Sequence, residues 1–249
     1  VGIPLIIDNT MATPFLCQPI QHGADIVVHS TTKFLSGHGN AMGGAIVDSG
    51  TFDWAQNDKY PSLAQPEEAY HGLNFYESFG DLAYTTYGHA VGLRDLGPTM
   101  APMNAYLTIM GIETLALRME KHVANAEVVA NYLYNHEKVS WVSYAGLEES
   151  KYFHLATKYL PKGAGSVFTF GIKGGYDAGV EFVEKCQLLS HLANIGDTRS
   201  LVLHPASTTH RQLTETQRIS AGAGDDVIRL SIGLETVEDI IADLAQALR

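Results

Sequence analysis

Gly23-Ala24-Asp25-Ile26-Val27-Val28-His29-Ser30-Thr31-Thr32-Lys33-Phe34-Leu35-Ser36-Gly37-His38-Gly39 is the stretch from which the fold can be read. The run Ile26-Val27-Val28 is β-branched with no polar alternation, the pattern of a parallel strand covered on both faces. It ends in hydroxyls and a lysine, then passes into a Gly-containing segment. In an open α/β sheet, ligands bind at the carboxyl ends of the strands. Ser30 and Thr32 can donate hydrogen bonds to phosphate oxygens. Lys33, desolvated beside cationic groups, would have a lowered pKa and form imines readily.

Upstream, Pro4-Leu5-Ile6-Ile7 is a second run of the same kind and ends at Asp8. Between the two, Gln18 to Gly23 can hold only a short helix. A third run, Gly44-Ala45-Ile46-Val47, follows too soon for a crossover helix, so it is expected to be antiparallel. Adjacent strands would bring the Asp8 carboxylate toward Lys33. A carboxylate facing a pyridine nitrogen keeps that ring protonated and able to accept electrons. The pair therefore points to pyridoxal 5′-phosphate carried by Lys33 as a Schiff base, and to amino-acid chemistry.

Taken singly, Lys33 would be a solvated residue at a helix start and Asp8-Asn9-Thr10 a turn or cap. Ser30-x-x-Lys33 also matches the acyl-serine signature of penicillin-binding proteins, but the accompanying S-D-N and K-T-G motifs are absent. The histidines include no H-E-x-x-H and no Cys/His ligand cluster, so no metal is expected.

The bulk properties narrow the classes further. The chain has 249 residues, 45% of them hydrophobic, with 16 Lys+Arg against 27 Asp+Glu and a formal charge of −11. An acidic field of this size repels a phosphate backbone, so nucleic acid is not an expected partner. No apolar run is long enough to span a bilayer, so a membrane is not expected either. Two cysteines are too few for a disulfide framework, and no signal-peptide pattern is present, so the cytoplasm is the expected location. The chain opens Val-Gly-Ile-Pro-Leu-Ile-Ile-Asp, already in a buried-type strand, and reads as part of a longer or processed chain.

Residues 50–100 are aromatic and Gly-rich and are expected to form loop and short helix near a functional surface. Beyond them Ile112, Leu115, Met119, Val123, Ala126, Ala130 and Leu133 recur at helical spacing, predicting one long amphipathic helix that bridges two domains. Strands are expected over 139–144, 166–172 and 226–232, with helices over 178–192 and at the C-terminus. Thr236-Val-Glu-Asp239 reads as a capping-box variant. The expected division is residues 1–105 as part of a large α/β domain and 106–249 as the bridging helix with a small α+β domain.

Asp8-Asn9-Thr10 followed by Gly23 to Lys33 resembles the cofactor region of the Cys/Met-metabolism family of pyridoxal-phosphate enzymes. In order along the chain, Gly111 to Met119 is similar to that family's interdomain helix. Ser200-Leu201-Val202-Leu203-His204-Pro205-Ala206-Ser207-Thr208-Thr209-His210 resembles its substrate-side loop, and Val227 to Glu235 its C-terminal strand. The resemblance implies a fold type I, aspartate-aminotransferase-like architecture. In it Lys33 would carry the cofactor, Asp8 pair with the pyridine nitrogen, and Ser30 and Thr32 bind phosphate. Arg229 would clamp the substrate α-carboxylate, assisted by Ser200. Phe52-Asp53-Trp54, Tyr70-His71-Gly72, Arg94-Asp95-Leu96-Gly97 and Asn194-Ile195-Gly196-Asp197 are similar to the subgroup that replaces the acetate of O-acetylhomoserine with sulfide. Methionine γ-lyase, cystathionine γ-synthase and O-succinylhomoserine sulfhydrylase chemistry share most of its steps.

The resemblance further implies an amino-acid substrate, sulfide or a thiol as second substrate, and a homotetramer of dimers with shared sites. The family's N-terminal part, with its phosphate loop and cofactor-stacking ring, has no counterpart in these residues, so the segment alone is expected to lack activity. A scaffold subunit without catalysis would have no chemical need for both Asp8 and Lys33.

Overall fold

The computed structural model describes residues 2–249. Its first half is built on strands β1 (Ile6–Asp8), β2 (Ile26–Ser30) and β3 (Gly44–Asp48). β1 and β2 are parallel, with Asp8 level with Val28, and β3 runs antiparallel to β2, as the short connection requires. A short helix α1 (Thr13–Leu16) and a single 3-10 turn over Pro19–His22 join the first two strands. The coverage expected on both faces holds for β2, whose Ile26 and Val27 are buried. It does not hold at β1, where Ile6 is 52% exposed and Leu5, just ahead of the strand, 49%. β1 has one strand neighbour among the described residues, and so little to cover its apolar side chains.

Between residues 50 and 100 the chain forms α2 (Pro61–Ala64), α3 (Phe75–Phe79) and α4 (Ala83–Tyr87) with interspersed tight turns. They pack Trp54, Leu63, Phe75 and Ala83 against Ile26. Trp54 stacks on Tyr84 with ring centroids 5.2 Å apart. The aromatic richness of this stretch thus builds a small core behind β2.

The long helix predicted from the apolar stripe is two helices, α5 (Pro102–Glu113) and α6 (Leu115–Tyr134). Pro102 presets the first turn of α5. The break falls at Thr114, whose hydroxyl turns back onto the Gly111 carbonyl at 3.3 Å. The break takes Ile112 off the buried stripe and leaves it 46% exposed, whereas Leu115, Met119, Val123, Ala126, Ala130 and Leu133 are all buried. The first half of α6 packs on Leu16, Phe34 and Leu35 of the N-terminal part. The second half packs on the C-terminal sheet.

That sheet comprises β4 (Val139–Ser143), β5 (Val167–Ile172), β6 (Ser190–His191), β7 (Leu201–Leu203) and β8 (Val227–Ser231) in the order β4-β5-β8-β7-β6. Its pairs are antiparallel except β6 with β7. Helices α7 (Phe153–Tyr159), α8 (Gly175–Lys185), α9 (Glu215–Ser220) and α10 (Val237–Ala247) accompany it. Phe170, Phe182, Ile228, Leu230, Ile240 and Leu244 fill its core.

Two helix ends differ from their sequence patterns. The helix predicted to reach Leu192 stops at Lys185, because the Asp243 carboxylate accepts the amides of Gln187, Leu188 and Leu189 at 2.8–3.0 Å and draws the chain into β6. Thr236 makes no side-chain cap; its N3 residue, Asp239, is one methylene shorter than the Glu or Gln of a capping box. The complete box is at α9, where Thr214 and Gln217 cap each other's amides.

No helix among the described residues is long and apolar enough to cross a membrane.

Candidate active site

β2 delivers the central residue. After Ser30 the chain enters a wide turn over Thr31–Leu35 in which Lys33 leaves helical geometry, with φ −88° and ψ −130°. The Lys33 ammonium donates to the Asn194 side-chain carbonyl at 2.5 Å. Burial, and then the charge of Arg229, pull the Lys33 amine below the ordinary lysine range. This is the desolvated, cation-flanked lysine that imine chemistry requires.

Arg229 lies mid-strand on β8, between Thr169 of β5 and Leu203 of β7. Its guanidinium donates to the Asn194 backbone carbonyl at 3.4 Å and forms no ion pair among the described residues. Burial alone lowers its pKa. A half-buried guanidinium without a carboxylate partner is costly to the fold. Asn194 thereby bridges the two cations, its side chain on Lys33 and its main chain on Arg229. Sequence reasoning passed over Asn194 as a site residue, although it heads the quoted segment Asn194-Ile195-Gly196-Asp197. That segment lies against the lysine turn. Gly196 has φ +73° and approaches Phe34 too closely for any Cβ, and the Thr198 amide donates to the Gly37 carbonyl at 2.9 Å.

Asp8 ends β1 with an exposed carboxylate. Hydrogen bonds from Thr10, hydroxyl first and then amide, hold its pKa below the ordinary carboxylate value, with a further contribution from His29. The Thr10 hydroxyl also accepts the Ser30 amide at 2.8 Å, which ties the end of β1 to the end of β2. The Ser30 hydroxyl has no hydrogen-bond partner among the described residues. The Thr32 hydroxyl is engaged with Gly43, accepting its amide at 3.1 Å and facing its carbonyl at 3.4 Å.

Ser200 leads into β7, the strand that pairs with β8 beside Arg229. It is fully buried, its hydroxyl donating to Glu235 and accepting the Gly233 amide, both at 2.8 Å. Its hydroxyl proton is thus engaged with Glu235, bracing the segment that follows β8.

The structure thus brings an amine of lowered pKa together with an arginine that has no acidic partner, and puts an ionised carboxylate at the end of the neighbouring strand. The comparisons with known proteins agree: residues 1–249 match the model of the Cys/Met metabolism PLP-dependent enzymes, and the chain belongs to that family. It is 49% identical over 258 residues to an O-acetyl-L-homoserine sulfhydrylase of Leptospira meyeri, covering 100% of this chain and 58% of the relative. It is 51% identical over 249 residues to a homocysteine synthase of Schizosaccharomyces pombe, covering 99% and 58%. A crystal structure described as an O-acetylhomoserine (thiol)-lyase of Campylobacter jejuni, carrying N′-pyridoxyl-lysine-5′-monophosphate, superposes with a TM-score of 0.94 at 44% identity. That match covers 99% of this chain and 59% of the other. The chain therefore spans somewhat under two thirds of the length of these relatives.

Proposed function

We propose that the protein carries pyridoxal 5′-phosphate on Lys33 and catalyses γ-replacement on O-acetyl-L-homoserine with sulfide, giving L-homocysteine and acetate. The observation that carries this reading is the Lys33–Asn194–Arg229 constellation: a lysine of lowered pKa beside an arginine that has no acidic partner. The residues present fit the cofactor. Asp8 offers an ionised carboxylate to a ring nitrogen, Ser30 an unspent hydroxyl to phosphate, and Lys33 an amine; Thr32 would add its hydroxyl only by giving up part of its contact with Gly43. The bound cofactor supplies an electron sink that stabilises negative charge at the substrate α-carbon.

The chain's own groups do the rest. Arg229 binds the α-carboxylate through its two-pronged guanidinium and so fixes the α-carbon over Lys33. Lys33, with its amine free, would take and return protons at the α- and β-carbons, so that acetate can leave the γ-carbon and sulfide take its place; its lowered pKa keeps the neutral amine accessible. Asn194 holds the amine within reach of both positions. Ser200 supports the clamp indirectly, by bracing the residues that follow β8.

The proposed domain division puts residues 1–105 in a large cofactor-binding domain and 106–249 in the bridging helices and a small α+β domain. A cytoplasmic homotetramer of dimers is the proposed assembly, supported by α5, which leaves Met103, Tyr106 and Met110 exposed at helical spacing. The substrate assignment is tested with the natural full-length protein. Homocysteine should form from O-acetylhomoserine and sulfide with a kcat/KM at least about tenfold above that for O-succinylhomoserine, since a site shaped for one acyl group separates near analogues by this order. Equal or inverted preference would instead favour a sibling activity of the family.

A further inference from the structure

We infer that Arg118 is a positioning residue for Lys33, acting through the backbone of the turn that carries the lysine; the inference rests on Lys33 being the cofactor-bearing residue. Arg118 projects from the first turns of α6 and is 6% exposed. It has no acidic partner among the described residues. Its donors go to neutral acceptors instead: Nη1 to the Phe34 carbonyl at 2.8 Å, Nη2 to the carbonyls of Leu35 at 3.3 Å and Gly111 at 2.7 Å, and Nε to the Thr114 hydroxyl at 3.2 Å. Two of these acceptors belong to the residues immediately after Lys33, and the other two sit at the α5–α6 break.

Burying a cation against neutral groups alone costs free energy that an apolar side chain would not. What only a planar fork supplies is the simultaneous grip on several carbonyls in fixed directions. The surroundings are shaped for that grip. Gly37, with φ +78°, leaves room for the guanidinium, and Gly111 lets α5 lie directly on the carbonyls of Leu35 and Ser36, where any Cβ would collide. Lys33 itself departs from helical geometry within this turn, so its backbone depends on neighbours to hold it. Arg118 thus links the interdomain break to the direction in which Lys33 leaves the main chain. A lysine at this position places one point charge and cannot reproduce the fork.

The experiment compares the natural full-length holoenzyme with Arg118→Lys and Gly111→Ala, both of which bear on the carbonyls that follow Lys33. Tyr144→Phe serves as control, removing a buried hydrogen bond to the Gly165 carbonyl away from this turn. Borohydride reduction of the wild type first establishes a pyridoxyl adduct on Lys33. Two properties are then read: the pH midpoint of the visible band of the lysine-linked cofactor, and, in cofactor-free protein, deuterium exchange at the amides of Ser36 and Gly37. Both test variants should move the midpoint by about half a unit or more and speed exchange about tenfold, because the turn then opens locally. The control should leave both unchanged. If wild type forms the adduct and the variants retain its midpoint and exchange rates, or the control shifts equally, the inference is overturned. If wild type forms no adduct on Lys33, the cofactor reading itself fails and takes this one with it.

Discussion

At the residue scale the site is a problem of two cations held close together. Arg229 lowers the Lys33 pKa through its charge, so replacing it with a neutral residue should raise that pKa toward the ordinary 10.5. The predicted result for Arg229→Gln is that the pH midpoint for imine formation at Lys33 moves upward, measured by the rate of cofactor incorporation between neutral and alkaline pH. An unmoved midpoint would show that burial alone sets the value. The same substitution removes a charge-assisted carboxylate contact worth about 1.5–3 kcal/mol, so kcat/KM for amino-acid substrates should fall about 10- to 100-fold.

Lys33, Asp8 and Arg229 were legible as candidates from their order along the chain and from the family resemblance, since Lys33 and Asp8 taken singly read as a helix-start residue and a cap. Asn194 and Arg118 were not. Their partners are a distant side chain and main-chain carbonyls, which no spacing rule exposes. The Glu235 partner of Ser200 was equally hidden, since the two residues lie far apart in sequence.

At the scale of elements, α6 carries a pH-sensitive joint. His122 is fully buried on this helix; its Nδ1 lies 2.7 Å from the Ile232 carbonyl and its ring packs on Phe34. Burial lowers its pKa from 6.5 to about 4. The folded state therefore prefers the neutral ring, while the unfolded chain protonates first. The resulting stability is full above pH 6.5 and is lost as pH falls toward 4, by about 3 kcal/mol in all. Denaturant unfolding of wild type and His122→Gln at pH 7 and pH 4.5 should show a smaller acid loss in the variant; equal losses would remove His122 from the account. Asp243 makes a second prediction. Its carboxylate takes three backbone amides at the end of α8, so Asp243→Ala should cost about 2–4 kcal/mol in chemical denaturation.

Periodicity found the helices here and missed their ends. Where a side chain captures the main chain, as Asp243 does beyond Lys185 and Thr114 does at the α5–α6 break, apolar spacing continues past the point where the helix stops.

At the scale of the whole molecule, the described residues leave apolar side chains in contact with solvent along α5 and β1. If α5 is an association surface, Met103→Glu with Met110→Glu should weaken oligomerisation by about tenfold or more in sedimentation velocity of the full-length protein, since each charge would have to be desolvated in the interface. An unchanged assembly would place the contact elsewhere. The architecture itself was readable from three short apolar runs and their connections, because connection length decides whether strands can be parallel. The open face of β1 was not, since an apolar run looks the same whatever covers it.

The central claim is that Lys33 is the residue that carries the cofactor. Borohydride reduction of the pyridoxal-phosphate-loaded protein, followed by proteolysis and mass spectrometry, tests it directly. A pyridoxyl group should appear on the peptide containing Ser30-Thr31-Thr32-Lys33, and on no peptide after Lys33→Ala. An adduct on a different lysine, or none in a protein that demonstrably holds the cofactor, would contradict it.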